Sequence, residues 1–120
     1  MKFLNLTPLI RTKYVSETIK FYTQVLCFQC LAFDEEAQWA SLKRDTTELM
    51  VAAPNTHAEF HEPIFTGSLY FQIDDVEELW NTVKDKAKIC YEPDVFDWNM
   101  REFGIFDNNG YLLQFGEEIE

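Results

Sequence analysis

The same order of elements is legible twice along this chain, and that repetition narrows the fold more than any single motif. Residues 2–12 carry apolar groups at roughly alternate positions, the period of a strand, and Pro8 marks an edge or irregular stretch. Residues 15–26 follow a helical period, with Ser16 as the cap and Ile19, Tyr22, Val25 and Leu26 on one face. Strands are expected near 28–34, 37–43 and 47–53, with turns at Glu35-Glu36 and Arg44-Asp45-Thr46. A polar loop runs from Pro54 to Pro63. The order then recurs: a strand over 66–73, a helix over 76–85, and strands near 88–96, 100–106 and 111–116. Asp74-Asp75 opens the second helix, which places Val76, Leu79, Trp80 and Val83 on one face. Asp107-Asn108-Asn109-Gly110 is a hairpin signal, because Asn-Gly tolerates the positive φ angles of a tight turn.

A shift of 61 places Val15 on Val76, Ile19 on Trp80 and Tyr22 on Val83. Few residues match, so the order of elements carries the repeat. The expected fold class is α+β, built from two βαβββ modules. Module one spans 1–53, a connecting loop 54–65, and module two 66–120. One helix covers one face of each sheet. Pairing the two uncovered faces is expected to form a curved groove or half-barrel, and concave junctions favour ligands.

Composition trims the functional choices. A chain of 120 residues makes one domain with a modest core. Residues 1–30 hold four basic groups against one acid, whereas the remainder holds six against twenty, for a net charge of −11. Such a balance argues against nucleic acid, whose phosphates need clustered Lys and Arg, and against an anionic membrane surface. It would draw in a cationic small molecule. No apolar run reaches the roughly 18 residues of a spanning helix, and Asn5, Thr7, Pro8 and Arg11 interrupt any signal-like segment, so a cytoplasmic location is expected. Three cysteines close no disulfide framework. Cys27 and Cys30 form a C-x-x-C that follows the helix and runs into a strand, and they are expected to be buried, inert thiols. No G-x-S-x-G or P-loop is present.

Three segments in order resemble the vicinal oxygen chelate superfamily of glyoxalase I, extradiol dioxygenases, and fosfomycin- and bleomycin-resistance proteins. They are Thr7-Pro8-Leu9-Ile10 leading to Phe21-Tyr22 and Val25-Leu26-Cys27-Phe28, where the family has "FY" and "VLGF"; Leu69-Tyr70-Phe71-Gln72-Ile73; and Phe106-Asp107-Asn108-Asn109-Gly110-Tyr111-Leu112-Leu113-Gln114-Phe115, similar to its "DPDGN" hairpin. The resemblance covers nearly the whole chain. It implies the glyoxalase/bleomycin resistance fold.

Metal-dependent members hold an ion with four ligands, one from each of four strands. The resemblance places Thr7 and Ser68 at the two His positions, Gln114 at the closing Glu, and Glu48 at the remaining acid. Thr, Ser and neutral Gln are poor ligands for first-row metals, so no metal or other cofactor is expected there. His57 and His61 make an H-x-x-x-H with Glu59 and Glu62 nearby, but between prolines and without helical periodicity; a mobile surface loop is the expectation. Aromatics are abundant at 16%. Trp39, Trp98, Phe33 and Phe60 are expected to rim the groove, with Asp34, Glu35, Glu36, Glu59, Asp94 and Asp97 close by, a setting for a planar or cationic ligand. The resemblance is nearest to bleomycin-resistance proteins and implies a homodimer that sequesters a small molecule without catalysis. Trp39 and Trp98 would stack, while Thr7, Ser68 and Gln114 would supply polar contacts. The alternative is a metal-dependent lyase, isomerase or dioxygenase of the same superfamily, using Glu48 and His57 or His61. A third reading is a protein–protein module whose groove is closed by side chains.

Overall fold

The computed structural model describes residues 1–57, 59–64 and 67–119. The expected strand start at Thr66, and Ala58 and Phe65 of the connecting loop, lie outside the described residues, as does Glu120. The chain divides into two compact units, residues 1–61 and 62–120, each with its own sheet and helix.

In the first unit β1 (Leu9–Arg11) leads to α1 (Val15–Gln24), then β2 (Gln29–Asp34), β3 (Trp39–Arg44) and β4 (Thr47–Ala52). The strand order is β1-β4-β3-β2, with β1 parallel to β4 and the other pairs antiparallel. The second unit repeats the plan with β5 (Leu69–Gln72), α2 (Val76–Val83), β6 (Lys88–Phe96), β7 (Met100–Phe106) and β8 (Leu112–Glu118), ordered β5-β8-β7-β6 with β5 parallel to β8. The protein is therefore α+β, with two four-stranded mixed sheets, as the repeated pattern predicts. The expected first strand is cut to three residues: Met1, Phe3, Leu4 and Leu6 precede it, all exposed.

Alternation decides which residues each helix covers. In the first unit Ile10, Val51 and Ala40 pair across adjacent strands and are buried, with Leu42 and Leu49 beside them. Each buried Leu, Ile or Val contributes about 1.5–3 kcal/mol. From α1 come Val15, Thr18 and Tyr22. Thr18 takes a core position that apolar periodicity assigns to Ile19, because its hydroxyl donates to the Tyr14 carbonyl at 2.6 Å and so enters the core satisfied. Tyr22 is fully buried, with edge contacts to Phe21 and Phe28 at 5.5 and 5.8 Å. In the second unit Phe71, Phe115 and Phe103 stack in a row at 5.2 Å spacings, and Trp80 of α2 meets Phe103 edge-on at 5.3 Å.

Two local expectations need correction. Ser16 does not cap α1: Tyr14 holds the N-cap position without a side-chain bond, and the Thr12 hydroxyl accepts the Tyr14 N–H at 2.9 Å instead. In α2, by contrast, Asp75 is the cap and accepts the Glu78 N–H at 3.0 Å. The second correction concerns the thiols. Cys27 and Cys90 are exposed and Cys30 is half-buried. Cys27 ends the turn after α1 with φ of +56°, and that left-handed backbone carries its side chain outward.

Candidate functional site

The helix-free face of the second sheet is built around two glycines. Tyr70, Gln114, Gly104 and Tyr91 pair in one row across β5, β8, β7 and β6. In the adjoining row Gln72 pairs with Gly116, and Gly116 with Glu102. At both glycines an aromatic side chain occupies the space a Cβ would need. The Tyr91 ring lies against Gly104, and the Tyr70 hydroxyl against Gly116. Register shifts in the β6–β7 ladder on either side of Tyr91 set the ring over Gly104.

Both hydroxyls thereby meet Glu102, which is only 3% exposed. Tyr91 donates to Glu102 Oε2 at 2.5 Å, and Tyr70 donates to Oε1 at 3.3 Å. A third donor comes from the β6–β7 turn. Asn99 takes φ of +60°, which closes that turn tightly and folds Trp98 back, so that its indole N–H reaches Glu102 Oε1 at 2.9 Å. The Trp98 ring stacks on Phe96 at 5.0 Å with 15° between planes, yet remains 61% exposed. On the other side of Tyr91, Gln114 Nε2 donates to its hydroxyl oxygen at 3.0 Å, and the Ser68 hydroxyl donates to Gln114 Oε1. Burial raises the pKa of Tyr91 far above the usual phenol value, and its bond to Glu102 adds to that. Tyr70 is raised too, first by burial and then by the Glu102 charge. Both side chains stay phenols at any ordinary pH. The result is an aromatic patch with an exposed indole face and a polar row ending at Ser68.

Of the residues picked from sequence, Ser68, Gln114 and Trp98 thus share one network. The others belong to the first unit and make none of the network's hydrogen bonds among those described. Trp39 is half-buried on the first sheet, paired with Ala52 and Asp34. Phe33 pairs with the buried Ala40, one residue out of phase with Trp39, so alternation sends the two rings to opposite faces. Phe60 is half-buried beneath the Lys13 ammonium, 5.5 Å from the ring centroid. Thr7 lies just before β1, as Ser68 lies just before β5.

Glu48 is exposed and ion-paired with its cross-strand neighbour Lys43 at 3.8 Å. Leu9, which the shift of 61 places on Tyr70, pairs with Met50 as Tyr70 pairs with Gln114. Met50 is therefore the internal counterpart of Gln114, and Glu48 sits two residues before it on the same face. His57 and His61 are exposed; the His57 N–H is bonded to Asn55, and the His61 ring lies 4.0 Å from Glu59. Among the described residues no three His, Cys, Asp or Glu side chains gather as a metal-binding group. The donor set at the four family positions does not suit a resident metal either. Thr7 and Ser68 are weak ligands, both ends of the Gln114 amide are engaged within the protein, and Glu48, the one carboxylate of the set, is ion-paired with Lys43.

Sequence reasoning missed Tyr70, Tyr91, Glu102 and both glycines. The available signal was Gly104 inside an otherwise bulky strand, since a glycine there marks close approach by another group.

Two βαβββ units, each a four-stranded mixed sheet with one helix, define a class of α+β folds. The sequence pattern of the Glyoxalase/Bleomycin resistance protein/Dioxygenase superfamily matches residues 5–115, and the chain belongs to that superfamily. Solved structures share the fold. A protein of unknown function from Agrobacterium tumefaciens str. C58 superposes with a TM-score of 0.81 at 15% identity, over 99% of this chain and 97% of that one. A glyoxalase/bleomycin resistance protein/dioxygenase from Nocardioides gives 0.79 at 13%, over 100% and 87%. Lactoylglutathione lyase from Agrobacterium tumefaciens gives 0.74 at 17%, over 95% and 92%. No curated protein matches the sequence.

Proposed function

We propose that the protein is a metal-free binder of planar, including cationic, small molecules, captured on the helix-free face of the second sheet. The observation that carries this reading is the exposed Trp98 ring, held in place by Phe96 on one face and by Glu102 at its N–H. A stacking surface fixed before the ligand arrives loses little entropy on binding. The tyrosine rings beside it add electron-rich faces for a cation. The acidic excess of the chain supports attraction of positive ligands over distance. Free thiols at Cys27, Cys30 and Cys90 fit a reducing, cytoplasmic setting. Exposed Phe3, Leu4, Leu6, Leu31 and Phe33 on the first unit support packing against a second copy, hence a homodimer. Sedimentation at two concentrations tests that assembly, and a monomer at both removes it.

The binding test uses untagged protein, because tag histidines hold metal. N-methylacridinium is titrated at pH 7.5 and followed by tryptophan quenching, with neutral acridine as the comparison. Saturable binding of the cation, at least tenfold tighter than acridine and lost in Trp98→Leu, is expected. Absence of saturation overturns the reading. Metal content after dialysis against zinc, nickel, manganese and iron decides the alternative. About one retained ion per chain would favour a lyase, isomerase or dioxygenase.

A further inference from the structure

The hydrogen bonds from Ser68 to Glu102 all run in one direction, and that direction is fixed by the chemistry at the Glu102 end. The indole N–H of Trp98 can only donate, so Glu102 Oε1 must accept. With Glu102 as a carboxylate, Oε2 also accepts, and the Tyr91 hydroxyl spends its one proton there. The Tyr91 oxygen is then an acceptor toward Gln114, so the Gln114 NH2 faces Tyr91 and its carbonyl oxygen faces Ser68. Amide orientation is settled by the network around it. Ser68 must in turn donate to Gln114, which leaves its exposed oxygen with lone pairs and no free proton.

We propose that Glu102 is a positioning residue that sets the direction of this chain, so that Ser68 meets a ligand as an acceptor and the site selects ligands bearing an N–H or O–H donor. This rests on the binding reading above and names the ligand chemistry. Acceptor-only groups such as carboxylates, carbonyls and pyridine-type nitrogens face lone pair against lone pair at Ser68 and are rejected. Glu102→Gln keeps the shape and reverses the arrows from Glu102 through Tyr91 and Gln114 to Ser68. Trp98 holds the carbonyl of the new amide, its NH2 donates to Tyr91, Tyr91 donates to the Gln114 oxygen, and Gln114 donates to Ser68. The Ser68 proton is thereby released toward the ligand.

Two measurements test this. The first needs no ligand. In wild-type protein the Gln114 side-chain NH2 protons are expected to show nuclear Overhauser contacts to the Tyr91 ring, and in Glu102→Gln to the Ser68 methylene instead. Contacts to Ser68 in the wild type overturn the proposal outright, whether or not the variant folds. The second is calorimetry with two neutral tricyclic probes, carbazole with its N–H donor and acridine with its ring-nitrogen acceptor. Wild type is expected to prefer carbazole about tenfold, Glu102→Gln to prefer acridine, and Ser68→Ala to discriminate less than twofold. An unchanged order in Glu102→Gln overturns the proposal. Failure of both probes and of N-methylacridinium to bind wild type overturns the binding reading itself, while the amide contacts still report the direction of the chain.

Discussion

The ring of Tyr91 rests on the bare backbone of Gly104, its partner across the β6–β7 ladder. A Cβ built at Gly104 would fall against Cε1 of that ring and 2.9 Å from Cδ1. Gly104→Ala therefore has to push Tyr91 off Glu102, since the backbone on either side is held by ladder bonds. Overpacking of this kind costs about 1–3 kcal/mol. Chemical denaturation is expected to show that loss. Adding Tyr91→Ala to Gly104→Ala should remove the clash, so that the two substitutions are markedly non-additive.

Alkaline pH should act through the same tyrosines. Their folded pKa values lie above the usual 10.0, with burial as the first cause in each. The unfolded chain therefore gives up these protons first as pH rises. The stability they contribute is complete below about pH 10 and declines above it, up to the folded values. Denaturation midpoints from pH 9 to 11.5 should fall, and Tyr91→Phe should flatten that fall. Absorbance at 295 nm should show phenolate from Tyr91 appearing at higher pH in the folded protein than in the urea-unfolded chain.

Cys27 occupies the position where the family motif has glycine, and its φ of +56° gives the reason. A side chain in this region costs roughly 1–2 kcal/mol, part of which glycine gives back through its floppier unfolded state. Cys27→Gly is expected to stabilise the protein by about 0.5–1 kcal/mol in urea denaturation. A destabilised variant would mean that the backbone is not left-handed there.

The two helix starts should respond differently. Asp75→Ala removes the acceptor of the Glu78 N–H and should cost about 1 kcal/mol. Ser16→Ala, inside the first turn of α1 and exposed, should stay within about 0.5 kcal/mol.

The fold was legible because each helix and strand announces itself locally. Alternation marked the strands, Asp74-Asp75 marked a helix start, and Asp107 to Gly110 marked a hairpin. In that hairpin only Gly110 takes positive φ, +96°, while the Asp107 carboxylate accepts the N–H groups of Asn109 and Tyr111 at 2.8 and 2.9 Å. Where the reading slipped, a side chain was answering to something distant or to the backbone. Thr18 is buried because its hydroxyl finds a carbonyl, and Cys27 is exposed because its φ turns it outward. The site was half legible. Ser68, Gln114 and Trp98 came from family positions and aromatic character, but Glu102 looks like any surface acid until Tyr70, Tyr91 and Trp98 are seen to converge on it. Those partners come from three other strands or turns, and no local pattern brings them together. Glu48 lies two residues before Met50 on the same strand face, and alternation alone cannot tell two such registers apart.

Each sheet is closed by a parallel pairing with its own first strand, and that fixes an order in time. β2, β3 and β4 are neighbours in sequence and can form as soon as they exist, but β1 must wait for β4. Arg11 and its partner Ala52 are separated by some forty residues, which take about 2–8 seconds to synthesise at ribosomal rates. Through that interval Ile10 has no core to enter, and the nascent chain carries an unpaired apolar strand. The same delay recurs between Leu69 and Leu113. Twice during its own synthesis, the chain holds a strand whose pairing partner does not yet exist.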